Sequence, residues 1–383
     1  MKIHPFIQGM VIDVRDIRRY LHQTPELGCQ EVKTQAFIYR YLEELGFDKI
    51  IKIADTGIKA VMYAVNPKKT FAFRADMDAL NINEENQLDY SSKISGRMHA
   101  CGHDGHMTVL LGLAKLISQY KNHLTDNVVL LFQPAEESIG GAQRMIQENA
   151  LIDPKVDMIF GLHMMPDIPE GKIGLNEGPI MAQTSEFNIE IIGKSSHGAM
   201  PQRGIDSIVA SAHFITLIQS IITRYVDPFE KSLISIGHIS GGERGNIIAE
   251  RTIMEGMIRT FSDDVYFNIK NRILAILQGI EIGFSVVAHF KETAYYPVVS
   301  NDAYACKFLN SIIEETNIVK MKPLMIAEDF SFFQKAVPGA YFFLGCGNKL
   351  LDLEHPLHSN RFNFNEDVLL NGIEIYRRIL NIM

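Results

Sequence analysis

The chain has 383 residues, 46% hydrophobic and 21% charged, with a formal net charge of −8. That balance, with no Lys/Arg run longer than a pair such as Lys68-Lys69, speaks against a nucleic-acid surface. No run of ~18–20 apolar residues and no leader with a cleavage site is expected, so the reading is no membrane association and no signal peptide. Four cysteines are too few for a disulfide framework, and a reducing, cytoplasmic compartment fits them. The length suggests roughly two to three domains.

In chain order, Val11–Thr24 carries apolar residues at helical spacing and stops at Pro25. Glu31–Leu45 repeats the pattern and stops at Gly46. Strand-like runs follow at Ile50–Ile53, Lys59–Val65 and Phe71–Arg74, then at Asn127–Gln133 and Met158–His163. Amphipathic helices are predicted at Met107–Tyr120 and Gly141–Asn149. Alternating strands and helices give an α/β layer structure with a largely parallel sheet, whose ligands gather at the carboxyl ends of strands.

The middle of the chain changes character. Strands at Phe187–Ile192, Ser232–His238 and Ile253–Thr260 alternate with helices at Asp206–Tyr225 and Val265–Ile282. This is a self-sufficient α+β unit, placed at 183–293 and inserted into a larger domain formed by 1–182 and 294–383. Afterwards the α/β pattern resumes, with a helix at Ala303–Thr316, a strand at Ala340–Leu344 and a last helix at Glu366–Ile382.

Several clusters carry chemistry. Met98–His106 (MHACGHDGH) holds one thiol and three imidazoles, with glycines that let the backbone turn. Cys101 and His103 suit zinc, manganese, cobalt or nickel. A helix opening behind them would favour an ionised Cys101. Glu136-Glu137 follows a buried strand, where one carboxylate can ligate a metal while its neighbour acts as general base. His163 and His358 are each more often structural when met alone. Together with Cys101, His103 and Glu137 they make five donors, about the number that two ions share. Asp78, in Arg74–Leu80 (RADMDAL), would ligate metal, orient a ligand imidazole or pair with Arg74; the orienting role is preferred. From pattern alone, His197, Asn246 and Arg259 in the insert read as structural. Cysteine-nucleophile catalysis at Cys101 leaves the carboxylates and distant histidines idle. A non-enzymatic metal- or peptide-binding protein leaves a full set of chemical groups unused.

These motifs, in this order, resemble the bacterial metal-dependent aminoacylase, hippurate hydrolase and N-acetyldiaminopimelate deacetylase family, to which the plant auxin-conjugate hydrolases are similar. The resemblance runs from LHQTPELGCQEVKT (Leu21–Thr34) through TGI, RADMDAL, MHACGHDGHMT, FQPAEE, GLHMMP, HGAMP, GNIIAE, EGMIRTFS and AEDFSFF to LHS. It implies a zinc-peptidase-like α/β catalytic domain with an inserted satellite domain that makes a homodimer. It implies two divalent ions (Zn, Mn, Co or Ni) on Cys101, His103, Glu137, His163 and His358. Glu136 is then the general base, Asp78 supports the metal site, and His197 reaches across the dimer to steady an oxyanion. Asn246 and Arg259 hold the substrate, Arg259 by its carboxylate, and Glu328 lies near the site. Asn81 stands where relatives have a loop-stiffening proline, and Ser195-Ser196 where many have Gly-Gly. The implied substrate is a small N-acyl amino acid. The insert segments lean to N-acetyl-diaminopimelate or a general N-acetyl amino acid; the KPLMIAEDFSFF segment leans to a hippurate-type substrate.

Overall fold

The structure is a computed structural model that describes residues 1–382. The chain divides into two compact units, Met1–Ile180 with Ser300–Lys322 and Asp329–Met383, and Met181–Val299 with Pro323–Glu328.

The first unit is built on an eight-stranded sheet. Its order is Lys49–Ile53, Gly57–Met62, Asn127–Gln133, Thr70–Asp76, Met158–Pro169, Gly339–Gly347, Ile173–Gly174 and Ile318–Val319. The four middle strands, from Asn127–Gln133 to Gly339–Gly347, run parallel. Antiparallel pairs flank them on both sides, so the sheet is mixed, not largely parallel. The short hairpin Lys49–Met62 explains the difference, since a tight connection permits only antiparallel pairing. Strands Thr70–Asp76 and Asn127–Gln133 are buried at every position. That is why they read as continuous apolar runs rather than alternating ones.

Helix His103–Gln119 is buried along most of its length, with Leu110, Leu113 and Ile117 in the core. It begins four residues earlier than its periodicity predicted, because its first turn contains the polar cluster itself. Gly102 caps it in a left-handed conformation (φ 86°), and its carbonyl accepts from Gly105 N at 2.8 Å and His106 N at 3.1 Å. A Cβ at Gly102 would lie 3.2 Å from Met164 Cβ, so both space and φ select glycine.

The second unit has its own core. Its antiparallel sheet runs Ser232–Gly241, Arg251–Thr260, Gln183–Ile192 and Val287–Tyr296. Phe187, Ile189 and Ile191 point to one face by strict alternation. There they meet Ala210, Phe214, Ile218 and Ile221 of helix Ser207–Tyr225 and Ile269, Ile273 and Leu277 of helix Asp263–Phe284. Helix Ser207–Tyr225 is long and apolar enough to cross a membrane by length and composition alone, although Ser, His, Thr, Gln and Arg interrupt its apolar run. Its apolar face is committed to the core just described.

Candidate metal centre

The polar clusters converge on one end of the parallel strands of the first unit. Asp76 is the last residue of its strand, and Glu136 and Glu137 follow the end of Asn127–Gln133. His163 departs from the expectation of a strand-end residue: its strand continues to Pro169, because the ladder with Gly339–Gly347 carries it past His163, which pairs with Phe343. His358 lies in a loop, at φ 64°, with its amide held by Ala100 O at 2.9 Å. An unfavourable left-handed φ away from glycine is a cost that tends to concentrate at functional sites.

The ligand-atom distances then fall into overlapping groups. Cys101, His103 and His163 can each bring one donor atom within 4.8 Å of the others, as can Cys101, Glu137 and His358, and His103, Glu136 and Glu137. Cys101 Sγ is 3.4 Å from His163 Nε2, and His358 Nε2 is 3.0 Å from Glu137 Oε1. All five expected donors are brought together, with Glu136 beside them.

Hydrogen bonds sort the histidines. His103 Nδ1 donates to the carbonyl of Asp78 at 2.8 Å, and His163 Nδ1 to that of Met164 at 2.7 Å. Each leaves Nε2 for another partner. His106 is already engaged, since its Nε2 accepts from Met164 N at 2.8 Å and its Nδ1 faces Asp76 Oδ1 at 2.6 Å. Buried His103 Nε2 and Glu137 Oε1 have no aligned hydrogen-bond partner among the described residues. Buried polar atoms are rarely left so, and a cation would satisfy both. The donor set of one sulfur, imidazoles and a carboxylate fits zinc or a similar divalent ion.

The carboxylates and burial set the protonation of these groups. Against the burial that opposes it, the charges of Asp76, Asp78 and Glu137 pull the His103 imidazole up to about 10. Burial takes His163 the other way, to about 3, so its ring is neutral and ready to ligate. Glu137 is held below its ordinary range by His358 and His103 in spite of burial. The helix N-terminus does not ionise Cys101, as its position had suggested. Burial and the neighbouring Glu137 and Glu136 carboxylates push the thiol well above its ordinary value. A thiol held neutral is a poor nucleophile, which removes the support for cysteine catalysis.

Asp78 works by a route that its position did not reveal. Its carbonyl orients His103, while its carboxylate accepts from the amides of Glu136 (3.1 Å) and Glu137 (3.0 Å). Arg74 pairs with Asp76 at 2.6 Å and Asp329 at 3.0 Å. Asp329 also accepts from Gln133 and from Ala142 N. Asp76 and Asp329 had been given no role, and His106 only that of a partner to Cys101 in cysteine catalysis; the signal available was the RADMD and AEDF strings at strand or helix ends. Leu80 and Met98 exchange backbone bonds at 3.0 and 3.1 Å, which fastens the loop at Asn81 without the proline.

The remaining expected residues lie in the second unit. His197 Nδ1 accepts from Ala199 N at 3.1 Å, so Nε2 carries the proton and is a donor. His197 pairs in register with Ile247, and Asn246 O accepts from Gly198 N at 2.8 Å, which makes His197 and Asn246 neighbours. Arg259 Nη1 is buried without a hydrogen-bond partner among the described residues, and burial lowers its pKa. Glu328 is buried and is the last residue of the second unit.

Known proteins bear on this geometry. The chain is 41% identical to an N-acetyldiaminopimelate deacetylase of Bacillus cytotoxicus over 98% of its own length and 96% of that protein's. It is 39% identical to an N-acetyldiaminopimelate deacetylase of Priestia megaterium, over 92% and 93% of the two chains. Among solved structures, a dinuclear metal-binding peptidase of the M20 family from Bacillus subtilis superposes with a TM-score of 0.84 at 31% identity, covering 98% of each chain. The pattern of peptidase family M20/M25/M40 matches residues 72–382. The chain belongs to that family.

Proposed function

We propose that this chain removes the acetyl group from N-acetyl-diaminopimelate, releasing acetate and the free amino acid. The class, a metal-dependent amidohydrolase acting on a small molecule, follows from the family and from the deacetylase relatives. The observation that carries the reading is the cluster itself: five ligand-competent side chains that include two buried atoms without an aligned hydrogen bond, with a second carboxylate, Glu136, adjacent.

Cys101, His103, Glu137, His163 and His358 would hold two divalent ions of the zinc, manganese, cobalt or nickel type. Such ions supply Lewis-acid polarisation of the amide carbonyl and acidify water at neutral pH. Glu136 takes the proton of the attacking water and hands it to the leaving amine. Asp78 keeps Glu136 and Glu137 facing the site through their backbone amides. His197, contributed across a homodimer made by the second unit, donates from Nε2 to the developing oxyanion. Arg259 binds the substrate carboxylate and Asn246 a further polar group, with Arg259 Nη1 supporting this as a buried donor in need of an acceptor. The second unit, at 183–293 with its flanks, serves as the satellite and dimerisation domain, and the cytoplasm as the compartment.

The test is amine release after chelation and re-addition of zinc or manganese. The panel is N-acetyl-diaminopimelate, N-acetyl-methionine and hippurate. Metal-restored turnover is expected, fastest with the first substrate. E136Q is expected to retain metal and lose at least about 100-fold in kcat, as a removed general base does. Normal turnover by E136Q would refute the mechanism, and a preference for hippurate would refute the acyl assignment.

A further inference from the structure

The turn Ala135-Glu136-Glu137 presents the two carboxylates on which the proposed chemistry depends, so a catalytic role for the groups that support it rests on that same reading. The turn lies outside any helix or strand, so no ladder fixes it. Ala135 adopts φ 58°, in the left-handed region, which costs a non-glycine residue about 1–2 kcal/mol. The surroundings must therefore impose the conformation.

Three consecutive amides show how. Glu136 N and Glu137 N donate to the Asp78 carboxylate. The third, Ala135 N, donates to Glu31 Oε1 at 2.8 Å. Glu31 Oε2 accepts from Thr56 Oγ1 at 2.6 Å. Glu31 is wholly buried, at 0% exposure. Burying a carboxylate is costly unless its oxygens are satisfied, and here one of the two is committed to this turn. The segment bearing Glu31 also packs directly against it: a Cβ at Gly28 would lie 2.3 Å from Ser138 Oγ and 3.2 Å from Ala135 Cα. Glu31 precedes helix Val32–Glu44, whose Gln35 N bonds to its carbonyl at 2.8 Å, so the carboxylate projects from a fixed point.

We propose that Glu31 is a positioning residue for the reaction. It holds Ala135 in its left-handed conformation and thereby sets the direction in which Glu136 and Glu137 leave the strand. Asp78 and Glu31 grip the turn from two sides, and neither alone fixes all three amides.

The chemistry of the side chain supplies its own controls. E31M keeps length and removes the acceptor. E31Q can turn its carbonyl oxygen to Ala135 N and its amide to Thr56 Oγ1, a hydroxyl that also accepts. E31D keeps the charge but withdraws it by one methylene. T56V removes the outer bond only. E31M is expected to lower kcat about 10–100-fold with little change in KM, and to weaken zinc affinity in chelator competition by a similar factor, as loss of a group supporting metal ligands does. E31Q should recover most of both. T56V should lower the melting temperature and leave kcat close to the parent. If E31M does not fold, E31D carries the test and should lose kcat.

Parental kcat and zinc affinity in E31M or E31D would overturn the inference. So would T56V and E31Q losing as much as E31M, because that pattern marks a merely structural carboxylate. A parent without metal-dependent turnover would instead remove the functional reading itself, so the two failures are distinguishable.

Discussion

Metal binding to this site should expel protons, and the structure says how many. In metal-free protein Cys101 is a thiol, pushed up by burial and by Glu137 and Glu136. His103 is an imidazolium, held at about 10 by Asp76, Asp78 and Glu137 against burial. An ion accepts only thiolate and neutral imidazole, so at neutral pH both protons must leave. His163, at about 3, is already neutral, and Glu137 is already ionised, so neither adds to the count. These four ligands therefore release close to two protons, and their share raises apparent affinity about 100-fold per pH unit between about pH 6 and 8. At pH 7 the His103 proton alone costs binding on the order of 4 kcal/mol. Affinity is thus lost as pH falls, well before any carboxylate is protonated. Zinc titration calorimetry in two buffers of different ionisation enthalpy reads the release directly. C101A should reduce it by about one proton. Release near zero in the parent, or unchanged in C101A, would refute the reasoning.

Other expectations arise from single contacts. D78N sets an amide NH2 against the backbone N–H of Glu136 or Glu137, and should cost about 10–100-fold in kcat and in zinc affinity; parental values for both would show that the turn does not need this carboxylate. Lys59 Nζ, almost wholly buried, donates to the carbonyls of Asn149 (3.1 Å), Ile152 and Asp153 (3.2 Å). K59M strands these acceptors and should lower unfolding stability by about 2–4 kcal/mol in urea while sparing the chemistry, and a loss below about 1 kcal/mol would mean that the carbonyls find water instead.

Much of the site was legible because metal chemistry restricts residue type and strand ends restrict place. Cys101-Gly102-His103 was readable from the string itself, since two soft donors flank a residue that must turn. Glu136-Glu137 was readable as a pair of carboxylates after an apolar strand. What the sequence could not explain was why His103 and not His106, three residues on in the same string, keeps a ring nitrogen open. Their roles differ only because Met164 N satisfies His106 and no aligned donor or acceptor satisfies His103 Nε2, and a contact between distant segments leaves no local mark. The carboxylates that oppose ionisation of Cys101 are likewise brought to it by folding, whereas the helix start is visible in sequence. In the sheet, the parallel middle was legible from unbroken apolar runs, whereas the antiparallel flank depended on pairing partners that periodicity does not name. Asp78 was assigned to support a ligand imidazole, but its grip on two amides is a matter of three-dimensional reach.

The parallel pairing of Met158–Pro169 with Gly339–Gly347 has a consequence for how the molecule comes into being. All of the second unit is synthesised between these strands, and it possesses a core of its own. The middle of the first sheet must therefore wait on the ribosome, incomplete, until a strand from the far side of a finished neighbour emerges. His358 arrives later still. No nascent fragment that stops short of His358 can gather all five donors, so an ion favours by mass action a chain that has passed that point over every shorter product.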